Sequence, residues 1–275
     1  MKKFTKVCLI LAAILAGAGL IICIVGFAMG ASSGEFWTTL KNTEGVYHFW
    51  GDYEYDGTEW KNAQETQDSF LADSVTELEI ELQYGEIRFE KSSTNEIVVL
   101  VEKNNGKFTA TMEGGTLKLK DTRKNQIGNA GYVVTVQIPE GKEFTEIDIE
   151  NNAGTVNGED ILLKAGTIDV NVDAGEAYFG EMTAGEVELK TGAGDTRIEK
   201  LDAGILKADC GVGNMEITLT DSENAYNYSV QCGVGDIRIN NNHYSSFGGK
   251  KNIDNGATKR VELDCGVGNI ELYTN

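Results

Sequence analysis

Near its C-terminus the chain writes one nine-residue phrase three times: DCGVGNMEI at 209–217, QCGVGDIRI at 231–239 and DCGVGNIEL at 264–272. Aligned on the second glycine, the phrases belong to a longer series: Gly175, Gly194, Gly213, Gly235 and Gly268. Each is followed by an acid or an asparagine: Glu176, Asp195, Asn214, Asp236, Asn269. The intervals are 19, 19, 22 and 33 residues. A second series, Gly166, Gly185 and Gly204, repeats the interval of 19 between the first, so a glycine corner is expected every 9 or 10 residues.

Between the corners apolar and polar residues alternate, as in TIDVNV, EVELKT, NMEITL, DIRIN and NIELY. Period two over five to seven residues is the mark of a half-buried strand. A period near 20 with two short strands and two corners predicts an all-β fold, a parallel β-solenoid or β-helix-like domain. Each coil would take about 19–22 residues. Glycine suits the corners because it reaches positive φ without steric cost. The following Asp or Asn is expected to bond its own backbone and fix the turn.

Stacking the coils in chain order assigns the faces. One inward column reads Val172, Thr191, Cys210, Cys232, Cys265. One outward column reads Tyr178, Arg197, Glu216, Arg238, Glu271, and Glu188 falls beside Lys207, so charges are expected to alternate between neighbouring coils. The long 33-residue interval carries a polar, Gly-rich insertion, which predicts a loop over 240–258 projecting from one end of the stack.

The N-terminus is of another kind. Residues 7–29 carry no charge for 23 positions, enough to cross a bilayer as a helix. Lys2, Lys3 and Lys6 precede them, which keeps the N-terminus in the cytoplasm and places the rest outside the cell membrane as a single-pass protein. An uncleaved anchor is favoured over a cleaved signal peptide because the apolar run exceeds a usual signal core. A lipoprotein reading is disfavoured by Ile22 ahead of Cys23. The expected organisation is residues 1–6 cytoplasmic, 7–29 transmembrane, 30–72 an aromatic-rich linker or cap, and 73–275 the solenoid. The 31–70 segment holds Trp37, Trp50 and Trp60, and three readings stay open for it: linker, end cap, or contact surface. Residues 75–150 are strand-like but less regular, and QYGEIRF at 83–89 matches the later phrase.

The chain's net charge is −19, and the three N-terminal lysines leave −22 beyond residue 30. A surface so acidic excludes nucleic acid and anionic lipid as charge-driven partners. Chemistry is sparse. Cys210, Cys232 and Cys265 would stack on neighbouring coils as buried free thiols filling apolar space. A disulfide is disfavoured, since three thiols leave one over and Val172 and Thr191 fill the same column without sulfur. Zinc is disfavoured because no CxxC or nearby His accompanies them. The glycine turns are similar to calcium-binding nonapeptides, but the acid position and spacing differ. His48 and His243 lie far apart in sequence, and no nucleophile or phosphate-loop phrase occurs. No catalytic, cofactor-binding or metal residue is expected, and no cofactor.

The hydrophobic N-terminal helix after KKF, LEIELQYGEIRFE, IPEGKEFTEIDIENNAGTV and the repeated GAGDTRI, GVGNMEI, GVGDIRI and GVGNIEL together resemble the bacterial family of membrane-associated putative adhesins, a domain of unknown function, of the Gram-positive cell-envelope type. The resemblance covers about residues 75–275 and the anchor. It implies a β-helix-like fold, an envelope location and, for some relatives, a link to envelope stress. It implies no catalytic residues. The expectation for function is therefore non-catalytic: adhesion, scaffolding or envelope-stress sensing. Its partners would be the bilayer, through the N-terminal helix, with envelope proteins, glycans or cationic peptides. The alternative is a cell-wall glycan-binding or glycan-active β-helix.

Overall fold

The computed structural model describes residues 63–123, 131–244 and 249–275. The apolar run 7–29, the three tryptophans and His48 lie outside the described residues, and no helix among the described residues is long and apolar enough to cross a membrane. What is described is almost wholly strand: β1 (Gln64–Leu71), β2 (Glu77–Leu82), β3 (Gly85–Ser92), β4 (Glu96–Asn104), β5 (Phe108–Glu113), β6 (Thr116–Asp121), β7 (Tyr132–Pro139), β8 (Glu143–Asn151), β9 (Gly154–Leu219), β10 (Tyr226–Ile239), β11 (Asn242–His243), β12 (Lys251–Ile253) and β13 (Lys259–Thr274). The fold is all-β and solenoid-like. β9 alone winds through several turns, because glycine lets the strand bend without breaking.

The rungs do not stack in chain order. Parallel registers place β2 between β6 and β8, and β3 between β7 and the start of β9. At the far end β13 lies between β9 and β10, parallel to both. In space the rungs therefore run β6/β7, β2/β3, β8 with the start of β9, three further turns of β9, β13, and last β10. These make eight rungs among the described residues. The expectation of sequential stacking is overturned at the C-terminal end, and the N-terminal rungs, for which no order was read, also depart from chain order. The three phrases fit side by side in any order, so the choice falls to the ends. Tyr226 and Tyr228, buried with ring centroids 6.2 Å apart, close the core at one end. Phe108 and Tyr132, 5.6 Å apart and edge-on, close it at the other. The insertion before β13 supplies the chain length needed to step back one rung.

That insertion does not simply project. Its residues 242–243 and 251–253 return as β11 and β12, which pair antiparallel with β10 and cap it. At the opposite end β5 caps β6, and β4 followed by β1 caps β7, again antiparallel. Switching direction at the ends covers edges that would otherwise recruit further strands. It also brings residues 64–71 into the sheet, ahead of the boundary expected at 73.

Inward residues form one apolar core. Besides the two expected strands, each turn of β9 contributes a third inward set at the return corner: Ile161 and Leu163, Met182 and Ala184, Leu201 and Ala203. Where Thr191 replaces an apolar residue, its hydroxyl bonds that of buried Thr196 at 2.6 Å, which satisfies both.

The two glycine series have different causes. Gly213 has φ +142°, and a Cβ there would sit 1.8 Å from the carbonyl oxygen of Gly194 on the next rung. Gly204 in the second series has no positive φ; it is needed because a Cβ would lie 2.8 Å from the Gly185 carbonyl. The second series thus serves close approach between rungs, not a left-handed corner.

Candidate contact surface

Strands in register at about 4.8 Å line up their outward side chains in rows across the rungs. The middle row of the first sheet face begins Lys118, Glu79, Asp148, Asp169. It continues through Glu188, Lys207, Glu262 and Ser229. Two lysines pair with acids on either side of its centre: Lys118 reaches Glu79 at 3.0 Å, and Lys207 reaches Glu186 at 2.7 Å and Glu188 at 3.5 Å. Asp148 stands between Glu79 and Asp169, with Glu146 and Glu150 on its own strand, and forms no ion pair among the described residues.

Partial burial, then the carboxylates of Asp169, Glu150, Glu146 and Glu79, push Asp148 up to about 6. Asp169 is raised as well, chiefly by burial. A folded-state value above the unfolded one near 3.9 means the folded state holds the proton more tightly, so stability is lost as pH rises from about 4 through 6. Asp148→Asn should therefore stabilise the protein at pH 7.5 by about 1 kcal/mol after allowance for solvent screening. That is a melting temperature higher by about 2–4 °C. Melts from pH 4 to 7.5 should show the wild type losing more stability than the variant across that window; parallel curves would contradict the assignment.

The expected alternation of charge holds only in part. Arg197 approaches Glu216 at 4.0 Å, and Arg238 meets Glu271 at 2.5 Å. With β13 inserted, Glu216 faces Glu271 instead of Arg238, and the row reads two acids between two arginines. The acidic centre Glu79–Asp148–Asp169 was missed altogether. Its signal was present, an acid in the middle of ELEIE, EIDIE and TIDVN. Reading it required knowing that β2 and β8 are neighbours.

The residues after the first glycine series also act across rungs. The Asn214 side chain and backbone N–H donate to Asp195 at 2.9 and 3.1 Å, and the Asn269 side chain donates to Asn214 at 3.1 Å. The expected bond to their own backbone gives way to this ladder, because rung spacing brings like positions together. Elsewhere on the surface an open groove of ≈ 510 Å³ is lined by Ile138, Pro139, Leu162, Glu159, Glu181 and Lys200 among others.

Gly175, Gly194, Gly213, Gly268 and Gly235 stack in that order, each with positive φ. Gly154 and Gly85 extend the column at the other end. Cys210, Cys265 and Cys232 form a buried row of free thiols, in register, with Cys265 in the middle. His243 lies 2.6 Å from Asp236 at the exposed end of β10. Among the described residues no cluster of three or more His, Cys, Asp or Glu is arranged to hold a metal ion.

Similarities to solved structures are distant. A "putative cell adhesion protein" from Clostridium sporogenes ATCC 15579 is 12% identical, covers 78% of this chain and 100% of its own, and has a TM-score of 0.40. A "putative adhesin" from Bacteroides fragilis NCTC 9343 is 16% identical over 76% and 97%, with a TM-score of 0.40. A "putative lipid binding protein" from Parabacteroides distasonis ATCC 8503 is 13% identical over 77% and 97%, with a TM-score of 0.31. No curated protein matches the chain. The model of the Toastrack DUF4097 family matches residues 75–271, which carry every rung described above, and the chain belongs to that family.

Proposed function

We propose that this protein is a membrane-anchored, extracytoplasmic contact module, non-catalytic and adhesion-like, held to the bilayer by residues 7–29. The observation that carries this reading is the extended face made by eight in-register rungs, about 34 Å long at the spacing of stacked strands. Its side chains form charge rows suited to another extended surface and not to a small substrate. The partner is a cell-envelope component, a protein, glycan or cationic peptide, and charge selects a basic one.

The test uses the full chain in lipid nanodiscs, incubated with peptidoglycan, teichoic acid, basic peptides and envelope extracts. Retention of a specific partner without turnover is expected. The double variant Asp148→Lys, Asp169→Lys should weaken that retention at least tenfold while the wild type loses it progressively with salt. Release of soluble sugar fragments would overturn the non-catalytic reading and favour a glycan-active one.

A further inference from the structure

The thiol row has a property that sequential stacking would not give it. Cys265 belongs to β13, the strand seated between two others, and Cys210 of β9 and Cys232 of β10 flank it in register. All three are buried. Cys265 therefore has a cysteine beside it on each neighbouring strand, and all three are free thiols. Neighbouring in-register Cα atoms about 4.8 Å apart fall within the span a disulfide bridges. Cys265 can join only one neighbour at a time, and either bond would tie down the inserted strand.

We propose that Cys210 and Cys265 are a modification site, a redox clasp that an organic disulfide closes to lock β13 against β9. The Cys210 thiolate attacks one sulfur of the organic disulfide, forming a mixed disulfide and expelling one thiolate. Cys265 then gives up its proton and attacks Cys210 sulfur, expelling the second. The organic disulfide is reduced to two thiols, and one protein S–S bond replaces two S–H bonds. Cys210 is the attacking partner because it belongs to the last turn of β9, which precedes β13 in the chain and presents its edge to solvent until β13 pairs with it. Access comes before β13 is seated, while Cys210 lies on the open edge of β9. Once closed, the bond is sealed in the core.

The experiment refolds the full chain from urea with oxidised or reduced glutathione, then alkylates it under denaturing conditions and maps the peptides by mass spectrometry. One intramolecular Cys210–Cys265 bond is expected in the oxidised sample, with Cys232 alkylated. Closing a loop of this length should raise the urea midpoint of the C-terminal rungs by about 1 M or more, reversed by dithiothreitol. Cys232→Ala should keep the bond and the shift, whereas Cys265→Ala should lose both. Unmodified Cys210 and Cys265 in the oxidised wild type would overturn the proposal. So would a bond to Cys232, or a Cys210–Cys265 bond that leaves the midpoint unchanged. The wild-type peptide map reads the outcome even if a variant fails to fold.

Discussion

Gly213→Val and Gly235→Val are expected to abolish cooperative folding, whereas Arg238→Ala should leave the melting temperature within about 2 °C of wild type. At Gly213 two penalties coincide. The backbone has φ +142°, where a β-branched residue is strained, and the added Cβ would sit 1.8 Å from the Gly194 carbonyl oxygen. At Gly235, with φ +139°, the distance is 1.7 Å to the Gly268 carbonyl. The obstructing atoms are backbone, so no rotamer change relieves them; the rungs must part and break their ladder bonds. A loss well above about 5 kcal/mol follows, enough to exceed the marginal stability of a folded domain. Arg238 pairs with Glu271 and Tyr273 at a partly exposed surface, where truncation leaves water to replace it. Circular dichroism melts of the three variants check this; a Gly213→Val protein melting beside Arg238→Ala would refute the steric assignment.

Arg123→Met should cost about 3–5 kcal/mol, or about 10–15 °C in melting temperature. Arg123 and Asp121 form an almost wholly buried pair at the N-terminal end of the stack, with Nη2 2.6 Å from Oδ2. The guanidinium lies between the rings of Tyr84 and Tyr132, 4.0 and 3.9 Å from their centroids, and donates to the Tyr84 carbonyl. Methionine fills the space but leaves the Asp121 carboxylate buried beside an apolar stem. The double variant Asp121→Leu, Arg123→Met should recover only part of the loss, because the N–H groups of Gln83 and of residue 123 both donate to Asp121 and would be orphaned. Urea denaturation of both variants decides it, and an Arg123→Met midpoint equal to wild type would show that the buried pair contributes nothing.

Alternation was enough to find the strands, and the glycine series to find where they bend, because both are local properties of LKADCGVGNMEI and its kin. The order of rungs was not legible. Cys232 in QCGVGDIRI and Cys265 in DCGVGNIEL offer β9 the same inward profile, so periodicity cannot choose between them. What decides is distant from the repeat: Tyr226 and Tyr228 as a plug, and a long insertion that doubles back. Each row crossing the displaced rungs was misread for that reason, as with Glu216 beside Glu271, or missed, as with Glu79 beside Asp148. The end caps were equally hidden, since QETQDSFL and NH carry little apolar alternation and owe their strand state to the edges they cover.

The interposed position of β13 sets a timetable for biosynthesis. Its 16 residues follow both β9 and β10 in the chain, yet they occupy an interior berth between them. A nascent molecule cannot complete its distal rungs until residues 259–274 have been made and freed. Until then β9 offers bare amides and carbonyls, the kind of border on which chains clump. Termination between residues 240 and 258, ahead of β13, would leave that border permanently open.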